Sequence, residues 1–200
     1  MNETSTKAAT LSLDALRSGD RAEIAALVEI FMDPVYRLAR RMTGNEQDAE
    51  DVTQETFIKV IRALPEFEGR SQLATWIYRI AVNESLMSLR RGKPLGSAVE
   101  IDATPEGEDD EAIEIVDWAE QPEAELLNTE GKKELDLAIS HLSENLRTVF
   151  TLRDLQDLSI EETATILGIS IPNVKTRLLR ARLKLRQELS VYHRERLESE

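Results

Sequence analysis

Between Ala98 and Glu134 the chain carries fourteen acidic residues against two lysines, a net of −12, and the same stretch holds Pro105, Gly107 and Pro122. Within it the run PEGEDDEAIE repels itself and has too little apolar surface to offset the entropy of ordering, the composition of a disordered linker. A 200-residue chain so interrupted must build its packed structure on either side. Outside this segment stand 24 acids and 23 bases, so the formal net charge of −13 is local and says little about what the two ends bind.

On both sides the pattern is helical. Only 4% of the chain is aromatic, while Leu, Ile, Ala, Glu and Arg are abundant, the residues that helices accept at low cost. Apolar residues recur at helical spacing through EIAALVEIFMDPVYRLARRM, DAEDVTQETFIKVIRAL and QLATWIYRIAVNESLMSLRR, broken at TGNEQ and PEFEGRS. Beyond the linker the pattern predicts helices around PEAELLNTEGKKELDLAISHL and ENLRTVFTLRDL, a short one in SIEETATILG, and a longer one after it. Ser159 with Glu162 three residues on reads as a capping box, and Ser170 with Pro172 as a further helix start. The expectation is an all-α chain of two small helical domains joined by a flexible acidic linker. Its divisions are an N-terminal tail (1–18), a first domain (19–92), the linker (93–121), a second domain (122–189) and a C-terminal tail (190–200).

Several chemistries are excluded by composition. With no Cys there is no disulfide, thiolate zinc site or cysteine nucleophile, and His141 and His193 stand far apart. A metal site would have to be all carboxylate, suited to hard ions. No cofactor is expected. The N-terminus lacks a basic region followed by an apolar core, and no run of 18 apolar residues occurs, so a cytoplasmic chain with no membrane insertion is expected.

The stretch GISIPNVKTRLLRARLKLR holds Lys175, Arg177, Arg180, Arg182, Lys184 and Arg186 and no acid. Val174, Leu178, Ala181 and Leu185, spaced four, three and four apart, form one stripe that would pack on Ile160, Ala164 and Leu167. The bases flank that stripe on both sides, where they could meet the two phosphate backbones bordering a major groove. A solvated amphipathic helix has the same pattern; the short helix and Gly168 turn before it shift the reading to a helix-turn-helix. Pro172, Asn173, Lys175, Thr176 and Arg177, near the helix start, would then face base edges, Arg and Lys suiting guanine and Asn adenine.

In the first half, Asp48, Asp51 and Glu55 share a helix face. That pattern fits a docking face for a basic protein, a solvated face or, in principle, a carboxylate metal site. On QLATWIYRIAVNESLMSLRR, Arg79, Asn83 and Arg90 project to one side and Trp76, Ile80 and Met87 line a neighbouring strip. The loop from Phe67 to Gln72 supplies an aromatic ring, a Gly, an Arg and small polar groups, the means to hold an unstacked base.

These motifs, in this order, resemble the ECF (extracytoplasmic function) sigma factors of bacterial RNA polymerase. TGNEQDAEDVTQETFIKVIRALPEFEGRSQLATWIYRIAVNESLMSLRR is similar to their region 2, and LSENLRTVFTLRDLQDLSIEETATILGISIPNVKTRLLRARLKLR to their region 4. The resemblance implies a non-enzymatic, dissociable polymerase subunit that recognises and opens promoters in a stress or envelope response. It implies that Asp48, Asp51, Gln54 and Glu55 bind the clamp coiled coil of the polymerase core, with the flap as a further contact. Phe67, Arg70, Ser71, Arg79, Asn83 and Arg90 would read the minus-10 element and hold a flipped base. Ser170, Pro172, Asn173, Lys175, Thr176, Arg177 and Arg180 would serve the minus-35 element. An anti-sigma factor is a further partner the resemblance implies. A stand-alone helix-turn-helix regulator, or a helical adaptor that binds no DNA, are the rival readings of the same residues.

The 29 residues from Lys93 to Gln121 reach roughly 100 Å when extended, but average about 30 Å as a flexible coil. Promoter elements two turns of DNA apart are separated by about 70 Å, so the linker must stretch. Its charge predicts competition with DNA for the basic helix, screened over about 10 Å at 0.1 M salt.

Overall fold

The computed structural model describes residues 3–91 and 129–199. The acidic linker lies outside the described residues, and so do the expectations about its reach and its competition with DNA. No strand occurs among the described residues, which agrees with the all-α expectation.

Residues 3–18, read from sequence as a tail, instead form α1 (Glu3–Ala8) and α2 (Leu13–Ser18). Short helices of this kind depend on caps and burial, since six residues cannot sustain a helix alone. Ser12 accepts from the Ala15 N–H at α2's start, Gly19 closes its end at φ 80, and Leu16 is buried in the core. Asp20 then caps α3 (Arg21–Thr43) by accepting from the Glu23 N–H at 3.0 Å. The helix continues through Pro34, and the cost of its missing N–H is offset by the apolar packing of Phe31, Pro34, Val35 and Leu38, all buried. Gly44, at φ 83, ends α3, and Asn45 opens α4 (Glu46–Ala63) by accepting from the Asp48 N–H at 2.7 Å. A 3-10 turn, Leu64–Glu66, leads to the 67–72 loop and then to α5 (Leu73–Arg91).

Helices α3, α4 and α5 pack on one another around Leu27, Phe31, Leu38, Phe57, Val60, Ile77 and Tyr78. Buried Glu84 of α5 meets the Lys59 ammonium of α4 at 2.6 Å, and Lys59 also lies 3.7 Å from Glu55. One lysine thus ties the two helices together and keeps a buried carboxylate paired.

The second half comprises α6 (Thr129–His141), α7 (Glu144–Phe150), a π-helical turn over Thr151–Leu155, α8 (Ile160–Leu167) and α9 (Ile171–Ser199). The C-terminal residues expected to trail off as a tail belong to α9 as far as Ser199. Ala138, Ile139, Leu142, Leu146, Val149 and Phe150 form a second apolar cluster with Val174, Leu178, Ala181 and Leu185.

The two halves touch directly. Leu152, Leu158 and Ile166 join the first cluster, and between the halves lies a set of buried polar contacts. The Tyr78 hydroxyl donates to Gln156 Oε1 at 3.1 Å, and Gln156 Nε2 donates to the Pro34 carbonyl at 3.3 Å. Arg147 donates to the carbonyl of Met42 at 3.1 Å, of Ser140 at 2.6 Å and of Leu142 at 3.0 Å. These carbonyls stand at the C-terminal ends of α3 and α6, where peptide dipoles favour a cation. Arg41 adds an ion pair with Asp136 at 3.6 Å.

Burial pushes the Tyr78 phenol up to about 12, against opposing contributions from a Thr4 hydrogen bond and the Arg37 charge. The unfolded phenol titrates near 10.0. Above that pH the folded chain retains a proton that the unfolded chain has released, so stability falls as pH rises from about 10 to about 12. In a variant with Tyr36 and Tyr192 both changed to Phe, absorbance at 295 nm should report a single phenol titrating near pH 12. Substituting Arg147→Met leaves three helix-end carbonyls without their donor and should cost about 1–3 kcal/mol, read by urea denaturation.

Candidate nucleic-acid and polymerase interfaces

The helix-turn-helix is assembled by local chemistry that the sequence shows plainly. Ser159 accepts from the Glu162 N–H at 3.1 Å while Glu162 accepts from the Ser159 N–H at 2.8 Å, the reciprocal capping box that starts α8. Gly168, at φ 65, ends α8, its N–H donating to the Ala164 carbonyl at 2.9 Å. A left-handed backbone there turns the chain sharply without Cβ strain. The Ser170 hydroxyl then accepts from the Asn173 N–H at 3.4 Å as α9 begins.

Val174, Leu178, Ala181 and Leu185 are buried, and Ile160, Ala164 and Leu167 belong to the same cluster, as the spacing predicts. With that seam inward, Ser170, Pro172, Lys175 and Thr176 are exposed at the start of α9, and Asn173, Arg177 and Arg180 are half-buried. Arg182 departs from the sequence expectation of an outward-facing base. Its Nε and Nη2 donate to the two Asp154 oxygens at 2.9 and 2.7 Å, a paired fork that stands the guanidinium against the π-helical turn. This hydrogen bonding raises the Arg182 pKa still further. Arg182 braces α9; Lys175, Lys184 and Arg186 supply its exposed charge.

On the other half, Arg79, Asn83 and Arg90 are exposed along α5, as are Met87 and, in the preceding loop, Arg70; Ser71 is half-buried. Arg70 pairs with Glu68. Phe67 differs from the expectation of an open stacking surface. Only 7% exposed, its ring lies against Trp76 with centroids 4.8 Å apart, and Trp76 is the partly exposed member of the pair. The apolar ring is held beneath the loop because it gains more from burial on Trp76 than from water.

On α4, Asp51 and Gln54 are exposed, and Asp48 and Glu55 half-buried. Asp48 is engaged with the Asn45 side chain at the helix start. Ile58 and Ile61, 42 and 39% exposed, continue the face of Asp51 and Gln54 at spacings of four and seven residues. The sequence reading noted only the helical spacing of apolar residues here and did not single these two out; the signal was that Val52, Thr56, Phe57 and Val60 already fill the inward stripe. No group of three or more His, Cys, Asp or Glu that could hold a metal occurs among the described residues.

The chain matches the sigma-70 region 2 family model over residues 27–94 and the sigma-70 region 4 model over residues 132–185. It is 34% identical to the ECF RNA polymerase sigma factor SigW of Bacillus subtilis, over 87% of this chain and 92% of the relative. It is also 34% identical to the RNA polymerase sigma-H factor of Pseudomonas aeruginosa, over 92% and 94%. The ECF RNA polymerase sigma-E factor of Escherichia coli is 35% identical over 85% and 88%. Among solved structures, CnrH in complex with the cytosolic domain of CnrY has the same fold, with a TM-score of 0.64 and 23% identity over 95% and 99% of the two chains. So does the sigma factor RpoE in complex with the anti-sigma factor NepR from Bartonella quintana, at a TM-score of 0.61 and 24% identity over 82% and 94%. With a capped helix-turn-helix, a first half built on the packed helices α3, α4 and α5, and matches at both ends in the same order, this chain belongs to the ECF sigma factors of RNA polymerase.

Proposed function

We propose that this sigma factor divides promoter recognition between its halves and leaves catalysis to the polymerase. Residues 19–92 form the unit for core binding and the minus-10 element, 122–189 the unit for minus-35, and 93–121 the connection. The observation that carries the reading is the start of α9. Its apolar seam is buried while Ser170, Pro172, Lys175 and Thr176 stand exposed, the arrangement a helix needs to enter a major groove. Asn173, Arg177 and Arg180 complete the minus-35 set. At minus-10, Arg79, Asn83 and Arg90 supply charge and base-edge contacts, Arg70 and Ser71 line the pocket for a flipped base, and Phe67 supports Trp76 from beneath. On α4, Asp48, Asp51, Gln54 and Glu55 dock the clamp coiled coil, and Ile58 and Ile61 extend that face with apolar area.

Reading both elements at once requires the halves to part. A 70-residue domain is about 30 Å across, so two such units in contact cannot occupy sites about 70 Å apart. The described arrangement corresponds to the factor before it spans a promoter. A protein that holds the halves together, an anti-sigma factor, would block this step, and both structural relatives are complexes with a second protein. The stand-alone regulator is not favoured, since family membership places the chain with polymerase subunits. A cytoplasmic site of action follows from this reading, because the polymerase it would serve works there; no helix among the described residues is long and apolar enough to cross a membrane.

Run-off transcription with purified bacterial core polymerase tests this reading: the chain should direct initiation from a subset of genomic fragments, and a lack of promoter-dependent transcript overturns it. Asp51→Arg should weaken core binding about tenfold or more by placing like charge against a basic partner, measured by fluorescence anisotropy. Lys175→Ala should lower affinity across minus-35 sequences and reduce the salt slope by about one, measured by holoenzyme titrations at several salt concentrations.

A further inference from the structure

The region 2 family match begins at residue 27, so α2 lies outside it, yet α2 reaches the loop assigned to minus-10 reading. Arg17 Nε donates to the Phe67 carbonyl at 2.8 Å, across 50 residues of chain. Its Nη2 lies 3.8 Å from where a Cβ on Gly69 would stand, so the guanidinium runs along the loop backbone. Gly69 itself is left-handed at φ 75, a conformation that glycine adopts without Cβ strain.

Phe67 is therefore held on three sides. Its N–H donates to the Leu64 carbonyl at 3.1 Å, its ring lies on Trp76, and its carbonyl accepts from Arg17. Two of these restraints come from the elements that flank the loop; the third comes from α2. Helix α2 is a firm support, with caps at Ser12 and Gly19 and with Leu16 only 1% exposed. Asp14, 3.7 Å from the Arg17 guanidinium, stands on the same helix.

We propose that Arg17 is a positioning residue for minus-10 recognition: it fixes the Phe67 peptide, and through it the places of Arg70 and Ser71. This rests on the assignment of the 67–72 loop above. Without Arg17 the Phe67 carbonyl turns to water and the peptide before Gly69 becomes a pivot. A base-edge contact tolerates displacement poorly, whereas a phosphate contact tolerates it well. Loss of Arg17 therefore removes sequence discrimination more than affinity.

The test uses holoenzyme reconstituted from the full-length chain and bacterial core polymerase. A single-stranded DNA pool randomised at six positions is selected on wild-type holoenzyme, and the enriched strand and a scrambled strand of equal composition are then titrated. Arg17→Ala should lower the preference for the enriched strand about fivefold, the equivalent of about one hydrogen bond, with core affinity, scrambled-strand affinity and salt slope unchanged. Arg17→Lys keeps the charge and stem but lacks the Nε donor, so it should lose preference as well, and it serves if the alanine variant does not fold. Unaltered preference in both variants overturns the proposal. A salt slope lowered by about one in Arg17→Ala and restored in Arg17→Lys assigns a phosphate contact instead, and parallel losses on both strands with a lowered melting temperature assign a merely structural role. If wild-type holoenzyme enriches no strand, the minus-10 assignment itself fails.

Discussion

Arg147 is the interaction on which the assembled form depends. A single guanidinium closes the C-terminal ends of α3 and α6, helices from the two halves, and takes up carbonyls that have no partner within their own helices. Burial lowers its pKa, with Glu144 partly countering this, since a cation loses hydration there. The cost is offset because the carbonyl dipoles converge on the charge. Gln156 does the equivalent with neutral groups, accepting from Tyr78 and donating to Pro34. Polar contacts of this kind specify one mutual orientation, where apolar contact alone would accept several. Apolar area and directed bonds therefore act together at this junction.

That junction leaves the surfaces proposed for recognition facing away from the core. The exposed start of α9, the outer face of α4 and the polar side of α5 are each supported by an inward apolar stripe and by one ion pair. Asp154 holds Arg182 of α9 against the π-helical turn, and Glu84 holds Lys59 between α4 and α5. Both pairs sit behind a face proposed for recognition or docking. Each fixes the angle at which that face is presented, a more demanding task than keeping a helix folded, because contacts to bases and to a protein partner depend on position to within about an ångström.

Much of this was legible in the chain. The capping box Ser159–Glu162, the Gly168 turn and the stripe Val174, Leu178, Ala181 and Leu185 are local signals, and local signals survive in sequence because they act within one or two helical turns. The same holds for the outward placement of Arg79, Asn83 and Arg90. Helices α1 and α2 were missed although Ser12, Gly19 and Asp20 are ordinary cap residues, since helices so short depend on Leu16 and Ala8 finding the core. The exposure of Ile58 and Ile61 and the burial of Phe67 were not legible either; each depends on which neighbour an apolar side chain meets across the fold.

By itself the sequence determined the longer helices, the caps that frame α8 and α9, the two-part division around an acidic segment, and the basic and acidic faces, because periodicity, capping and charge are properties of neighbouring residues. Only the tertiary structure decided which cations remain available and which are engaged. Arg182, Arg147 and Arg17 look alike in the chain, yet one braces a helix, one closes two helix ends and one holds a loop. The partners that separate them, Asp154, Met42 and Phe67, lie 28, 105 and 50 residues away. Contacts over such separations form only when the packed core brings distant segments together, and no local pattern encodes them.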